Sequence, residues 1–133
     1  MLKNITAKEY MAANLVTFKM DQDMMSAIHK LLENGISGAP VIDNTGNICG
    51  MLSEKDCLKV ALNWAYHTQH SGQVGDYMTT AVVTVEADTS ILQIAKMFIE
   101  SPYKRFPVVD ENRLIGQISR QDILRAIHNI SKG

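Results

Sequence analysis

Residues 38–56 read GAPVIDNTGNICGMLSEKD, and residues 105–122 read RFPVVDENRLIGQISRQD. The second stretch repeats the first, since Pro40-Val41-Ile42-Asp43 recurs 67 positions later as Pro107-Val108-Val109-Asp110. In each stretch a turn, an apolar run with a glycine and a Ser-x-x-Asp motif follow. Two long copies are not the pattern of a solenoid, which needs three or more shorter units. They predict one domain of two similar halves, with a cleft suited to a small ligand between them.

The repeat also extends from these stretches toward the N-terminus. Tyr10-Met11 recurs as Tyr77-Met78, and Val16-Thr17 recurs as Val83-Thr84. We therefore expect a single module over residues 1–133, with a first repeat at 10–62, a connector at 63–74 and a second repeat at 75–130.

Each copy has the pattern of three short strands and two helices. The β-branched segments 16–18 and 82–85 predict opening strands, and two strands joined by a tight turn are predicted at 39–43 with 48–53 and at 105–110 with 114–119. The order is β-α-β-β-α in both copies, and the fold class is α+β. Since neither half can cover its own sheet, the two repeats are expected to pack sheet to sheet about a pseudo-two-fold axis.

The first helix of each copy is predicted from an apolar stripe at positions i, i+3, i+4, i+7 and i+8. The stripes are Met24, Ala27, Ile28, Leu31 and Leu32 in one copy, and Ile91, Ile94, Ala95, Phe98 and Ile99 in the other. Asp21 and Asp88 are the predicted N-caps. Gly35 ends the first helix and Pro102 the second.

Composition narrows the classes of function. Apolar residues make up 46% of the 133 residues, and the formal net charge is −1. Neither half is markedly basic, so we expect no nucleic-acid partner. No segment is apolar enough to cross a bilayer or to act as a signal peptide. We expect a cytoplasmic protein without membrane contact, in which Cys49 and Cys57 are buried and reduced.

The Ser-x-x-Asp motifs lie where a strand ends and a helix begins, and two interpretations fit them. The first is a capping box, in which serine caps the helix and the third residue bonds back. The second is a nucleotide site, because a helix N-terminus attracts phosphate and a carboxylate one turn away can accept both hydroxyls of a ribose. The two are compatible, since the serine can cap an empty site.

The repeated pattern apolar-Pro-Val-apolar-Asp, turn, Gly-x-apolar-Ser-x-x-Asp resembles the CBS domain, named after cystathionine β-synthase. Such domains occur in tandem pairs called Bateman modules, and the resemblance covers roughly residues 10–127. It implies a regulatory module, not an enzyme, that binds adenosine-containing ligands in clefts between the repeats. The expected ligand is an adenine nucleotide of the AMP, ADP or ATP type, with AMP favoured. The resemblance also implies a homodimer.

The resemblance places two candidate sites on this sequence. The preferred site comprises Thr84, Lys104, Arg105, Phe106, Pro107, Ser119, Arg120 and Asp122. In it Asp122 would hold the ribose, Ser119 and Arg120 would face phosphate, and Thr84 with residues 104–107 would frame the adenine. The second site comprises Thr17, Ser37, Gly38, Ala39, Pro40, Ser53, Lys55 and Asp56.

Charge distinguishes the two sites. Lys104, Arg105 and Arg120 surround the preferred one, whereas Glu54 stands beside Ser53 in the other. Because an arginine can bind a phosphate through two parallel N–H bonds, the site around Asp122 is expected to bind phosphorylated ligands more tightly.

Other functions remain open at this point. No catalytic triad can be assigned from the spacing of the histidines, and a phosphate-binding Gly-rich loop is lacking. His67-x-x-His70 could bind a metal, but zinc sites use three or four ligands and a surface pair is the better interpretation. A structural dimerisation module without a nucleotide, or a sensor of S-adenosylmethionine or NAD, is the alternative. A sensor would pass its signal to an effector protein that the sequence does not name.

Overall fold

The structure, a computed structural model, describes residues 1–66 and 72–133. It confirms the α+β class. Within the described ranges the elements are α1 (Ala7–Tyr10), α2 (Met24–Asn34), β1 (Gly38–Ile42), β2 (Ile48–Ser53), α3 (Glu54–Tyr66), α4 (Val74–Tyr77), β3 (Val85–Glu86), α5 (Ile91–Glu100), β4 (Arg105–Asp110), β5 (Arg113–Ser119) and α6 (Arg120–Lys132). Of the predicted connector, 63–66 complete α3 and residue 74 begins α4. The His67–His70 pair lies outside the described residues.

The chain forms two compact units that differ from the sequence repeats at their edges. We call Val16–Val82 the first-repeat unit, and Met1–Leu15 together with Val83–Gly133 the second-repeat unit. The short helix that opens each sequence repeat thus belongs to the unit of the other repeat. In the second-repeat unit the Ala7 N–H donates to the Thr89 carbonyl at 2.8 Å.

Each unit contains the predicted antiparallel strand pair. In the first-repeat unit β1 pairs with β2, and in the second-repeat unit β4 pairs with β5 and, in parallel, with β3. Both pairs have a register shift at the same place, between Val41 and Ile42 and between Val108 and Val109. The opening strands are shorter than predicted. Phe18 makes only an isolated parallel bridge with Val41.

The buried faces of α2 and α5 are narrower than the predicted stripes. Met24, Ala27 and Leu31 are buried in α2, and the equivalent residues of α5 are buried as well. Leu32 and Ile99, however, are 76% and 84% exposed. At roughly 100° per residue, position i+8 lies about a quarter-turn from the first residue of the stripe and further still from i+7. These two residues therefore point away from the core.

The helix N-caps also differ from the prediction. Asp23, not Asp21, caps α2, and its Oδ2 accepts from the N–H groups of Met25 and Ser26 at 3.0 and 3.2 Å. Ser90, not Asp88, caps α5 by accepting from the Gln93 N–H at 3.1 Å. A cap must stand directly before the first helical residue for its side chain to reach the N–H groups of the first turn. The predicted aspartates lie two residues too early. Gly35 ends α2 as predicted, in the left-handed conformation with φ of 61°.

The described helices contain no stretch both long and apolar enough to cross a membrane.

Candidate functional site

The start of α6 combines a helix cap with a buried carboxylate. The Ser119 Oγ accepts from the Asp122 N–H at 3.3 Å, and Asp122 Oδ2 accepts from the Ser119 N–H at 2.7 Å and from its hydroxyl at 3.1 Å. The Asp122 residue is only 5% exposed. A charge buried to this degree requires partners. The capping bonds and Arg125, which donates to Oδ1, supply them.

Asp122 lies in the wall of a cavity of about 510 Å³ within the second-repeat unit. Its lining residues are Ala12, Lys104, Arg105, Gln117, Ser119, Arg120, Gln121, Asp122 and Arg125. The volume falls within the roughly 300–1,000 Å³ usual for small-molecule sites. The cavity is therefore large enough for a small ligand in contact with the carboxylate.

Four cationic side chains share this cavity with a single carboxylate. Lys104 and Arg105 come from the start of β4, while Arg120 and Arg125 come from α6. A backbone hydrogen bond joins the two segments, because the Arg120 N–H donates to the Lys104 carbonyl at 3.2 Å. The excess of positive charge next to a helix N-terminus suits an anionic ligand, and a phosphate in particular.

Gly116 brings the N-terminal segment to the cavity. A Cβ at this position would lie 2.8 Å from the carbonyl oxygen of Ala12. Without that Cβ, Ala12 exchanges two backbone hydrogen bonds with Gln117, at 2.8 and 2.9 Å. The glycine of the repeated pattern thus permits a close approach of two chain segments, and Ala12 becomes part of the wall.

The structure brings together five of the eight residues predicted for the preferred site. Lys104, Arg105, Ser119, Arg120 and Asp122 line the cavity, whereas Thr84, Phe106 and Pro107 are not among its lining residues. Phe106 is 1% exposed, and its ring stacks on Phe98 at a centroid distance of 4.5 Å. Its side chain belongs to the core. Pro107 is buried as well, and Thr84 is half-buried before β3.

Sequence reasoning missed four residues of this cavity, namely Ala12, Gln117, Gln121 and Arg125. Arg125 had a detectable signal, because a residue three positions after Asp122 lies on the same helix face. Ala12 had none, since its approach depends on the fold of a segment more than a hundred residues away along the chain.

The equivalent helix start in the first-repeat unit, at α3, has the same capping geometry. Asp56 is 4% exposed, and its Oδ2 accepts from the Ser53 N–H at 2.9 Å and from the Ser53 hydroxyl at 3.0 Å. Two further groups reach Oδ1. The Thr79 hydroxyl lies at 3.3 Å and the Lys59 ammonium at 3.5 Å.

The remaining residues predicted for the second site are spread over different environments. Ser37 and Lys55 are exposed, and Thr17 and Gly38 are half-buried. Ala39 and Pro40 are buried in the core, with Ala39 at 1% exposure. Ser37 nevertheless contacts the helix start, because its carbonyl accepts from the Glu54 N–H at 2.8 Å.

Electrostatics around α3 are more acidic than around α6. Burial, followed by the nearby carboxylates of Asp56 and Glu54, raises the pKa of the Cys57 thiol. Burial is likewise the largest cause that raises the pKa of the Cys49 thiol, and the Asp43 carboxylate raises it further. Both cysteines are free thiols and half-buried, rather than fully buried as expected.

A metal centre receives no support from the described ranges. Within residues 1–66 and 72–133, no three or more His, Cys, Asp or Glu side chains lie close enough together to hold a metal ion.

Comparison with known families accounts for the repeat. The family model of the CBS domain matches residues 7–63 and again residues 74–129. The chain therefore belongs to the CBS domain family, and it contains two CBS domains in tandem.

Two curated relatives extend this result. MJ1225, an uncharacterized protein of Methanocaldococcus jannaschii, is 25% identical over 124 residues, which cover 93% of this chain and 43% of that protein. CBSX1, a chloroplastic CBS domain-containing protein of Arabidopsis thaliana, is 32% identical over 132 residues, covering 80% of this chain and 56% of that protein. The chain thus spans about half the length of these relatives.

A solved structure matches over nearly the whole length of both chains. The crystal structure of CBSX2 in complex with AMP is 30% identical, with a TM-score of 0.82, and the match covers 96% of this chain and 98% of that one. CBSX2 is also a protein of Arabidopsis thaliana. The match is thus with a crystallised chain that consists of little more than a CBS pair.

Proposed function

We propose that this chain is a regulatory module that senses an adenine nucleotide in the cavity around Asp122. The observation that carries the proposal is a buried carboxylate in the wall of a cavity that also presents four cationic side chains. A ribose diol needs a carboxylate acceptor, and a phosphate needs cations. A nucleotide has both groups on one small molecule.

The comparison supports an adenosine-containing ligand. The crystallised chain of CBSX2 resembles this chain over almost its entire length and is in complex with AMP. AMP is therefore the first ligand to test. ADP, ATP, NAD and S-adenosylmethionine are tested beside it, because all of them carry the same adenosine.

The proposed mechanism is a shift of population. A nucleotide that contacts one arrangement of the module better than another favours that arrangement by the difference in its binding free energies. The signal passes to an effector protein. The homodimer, an effector protein and a cytoplasmic location remain predictions, and sedimentation with and without AMP tests the first of them.

Thermal unfolding tests the proposed function directly. A ligand at a hundredfold excess over its dissociation constant adds about 2.7 kcal/mol to the free energy of unfolding. For a domain of this size the melting temperature should then rise by roughly 6–14 °C. Mass spectrometry of small molecules that co-purify with the chain would identify the nucleotide without a prior choice.

The Asp122→Asn variant locates the site, and Asp56→Asn is its matched control in the other capping box. Asp122→Asn is expected to weaken AMP binding by at least about tenfold, because the amide replaces a charged acceptor with a neutral one. Asp56→Asn should leave the affinity for AMP within about threefold of wild type. Equal stabilisation of wild type and Asp122→Asn by AMP would show that the site is misplaced.

A structural dimerisation module is the second candidate. The observation that favours it is that residues of the chain alone form both capping boxes. The panel of nucleotides separates the two functions. If none of the five compounds raises the melting temperature, the structural function is better supported than nucleotide sensing.

A further inference from the structure

The residue next to the helix-terminal aspartate differs between the two units. In the first-repeat unit Thr79 exchanges backbone hydrogen bonds of 2.9 and 2.8 Å with Met51. In the second-repeat unit Ala12 makes the same exchange with Gln117. Thr79 follows Ala12 by 67 positions, which is the step of the repeat. The backbone arrangement is thus shared, and the side chain is what changes.

The threonine completes the set of bonds around Asp56. An ionised carboxylate offers about four acceptor positions. On Asp56, Oδ2 accepts from the Ser53 N–H and hydroxyl, while Oδ1 receives the Thr79 hydroxyl and the Lys59 ammonium. Four groups thus lie within 3.5 Å of the Asp56 carboxylate, and a ribose hydroxyl at Oδ1 would have to displace the Thr79 hydroxyl or the Lys59 ammonium.

The alanine leaves the set around Asp122 incomplete. Its Oδ2 accepts the same pair of bonds from Ser119, and its Oδ1 accepts from Arg125. Over residues 1–66 and 72–133, no fourth group donates to this carboxylate. Ala12 lines the same cavity but carries only a methyl group, which cannot donate. One acceptor position is therefore available to a ligand in the cavity.

The unit with the alanine also has more cationic residues at matching positions of the repeat. Lys104 and Arg105 correspond to Ser37 and Gly38 by the step of the repeat. The first residue of the closing helix is Arg120 in one unit and Glu54 in the other. The unit in which Thr79 contacts the aspartate thus has no cation at the positions of Lys104, Arg105 and Arg120, which in the other unit can hold a phosphate.

We propose that the side chain at this position, alanine at 12 and threonine at 79, decides which aspartate takes a ligand. The chain then binds one nucleotide, at Asp122, and Asp56 serves only to cap α3. This inference rests on the proposed function. It adds the number of nucleotides bound per chain and the residue position that selects the binding site.

Isothermal titration of the full chain with AMP tests the inference. Wild type is expected to bind one AMP per chain. Ala12→Thr provides the missing hydroxyl next to Asp122 and should weaken AMP binding by at least about tenfold. Ala12→Val adds the same volume without a donor and should weaken AMP binding clearly less than Ala12→Thr does. Thr79→Ala, the reverse change in the other unit, should leave the affinity at Asp122 unchanged.

The outcomes separate this inference from the proposed function. Three outcomes would overturn the control by position 12 and leave nucleotide sensing intact. Wild type could bind two AMP molecules per chain, a folded Ala12→Thr could keep wild-type affinity, or Ala12→Thr and Ala12→Val could lose affinity equally. A wild-type chain that binds none of the five compounds would instead reject the proposed function, and this inference with it. Circular dichroism of each variant establishes that it is folded. If Ala12→Thr fails to fold, single occupancy of the chain at Asp122 is tested by stoichiometry. Wild type should then bind one AMP per chain, Asp122→Asn should lose this binding and Asp56→Asn should retain it.

Discussion

At the scale of single residues, the two aspartates show how one side chain can serve both stability and recognition. Asp56 and Asp122 are the only buried charged residues in the described parts of the chain. Each is held by a helix N-terminus and a serine, which offset the cost of removing a carboxylate from water. Such a carboxylate is pre-organised, so a ligand need not restrict its side chain on binding.

Arg125 gives a prediction at this scale. It donates to the Asp122 carboxylate and lines the cavity, yet its side chain is 59% exposed. An exposed ion pair contributes about 0.2–1 kcal/mol. Arg125→Ala is therefore expected to weaken AMP binding by roughly 1.4- to fivefold.

Lys59→Ala is the matched control, because Lys59 stands in the same place relative to Asp56, at 3.5 Å. It should not change the affinity for AMP. Titration calorimetry measures both variants. A larger loss in Lys59→Ala than in Arg125→Ala would contradict the assignment of the ligand to the second-repeat unit.

At the scale of elements, the turn between β1 and β2 is held by one carboxylate. Asp43 Oδ1 accepts from the Thr45 hydroxyl at 2.7 Å, from the Thr45 N–H at 2.9 Å and from the Asn47 N–H at 3.0 Å. The hydrogen bond from the Thr45 hydroxyl is the largest influence on the pKa of Asp43, which lies below its ordinary value despite some opposing desolvation. In the corresponding turn between β4 and β5, Asp110 stands at the position of Asp43, and Glu111 and Asn112 have positive φ.

The direction of this shift predicts how stability depends on pH. Because the pKa of Asp43 is lower in the folded state than in the unfolded chain, its contribution is complete above about pH 4 and is lost as the pH falls through the folded value. Asp43→Asn should be less stable than wild type at pH 7, and the difference should shrink at about pH 3. Urea unfolding at the two pH values measures it. A difference that is the same at both would show that the charge of Asp43 has no part in the turn.

At the scale of the whole molecule, the N-terminal segment completes the unit that contains the cavity. Five of its backbone hydrogen bonds, each of 3.0 Å or less, reach residues after position 86. They run from Ala7 to Thr89, from Lys8 to Ala87, from Ile91 to Ile5, and in both directions between Ala12 and Gln117. Ala7 itself is fully buried. The second-repeat unit is therefore assembled from the two ends of the chain.

Deletion of residues 1–12 is expected to lower the free energy of unfolding by about 5 kcal/mol, at about 1 kcal/mol for each of the five hydrogen bonds. It should also abolish AMP binding, because Ala12 and its backbone form part of the cavity wall. Deletion of residues 1–3 is the control, because it leaves these five bonds in place. Of the backbone bonds to residues after position 86 it removes only the longer one of 3.4 Å from the Leu92 N–H to the Leu2 carbonyl. Chemical unfolding and calorimetry compare the two proteins. Wild-type affinity after loss of residues 1–12 would exclude a role for this segment.

Much of the fold and part of the site follow from local patterns. The strand pairs, the closing helices and the Ser-x-x-Asp caps could be predicted because alternation, helical periodicity and capping depend on neighbouring residues. The repeat added a second, independent instance of each pattern. Lys104, Arg105, Ser119, Arg120 and Asp122 were predicted from the resemblance to the CBS domain, and they do share one cavity.

The sequence by itself determined the two CBS domains, their α+β class and the paired aspartates, since all of these are encoded within each repeat. Only the tertiary structure decided that Ala12 and Arg125 line the cavity, that Phe106 belongs to the core, and that Thr79 bonds to Asp56. These facts depend on contacts between segments that are distant along the chain or on which face of an element meets the core. Periodicity names the faces of an element, but only packing brings a particular side chain against its partner.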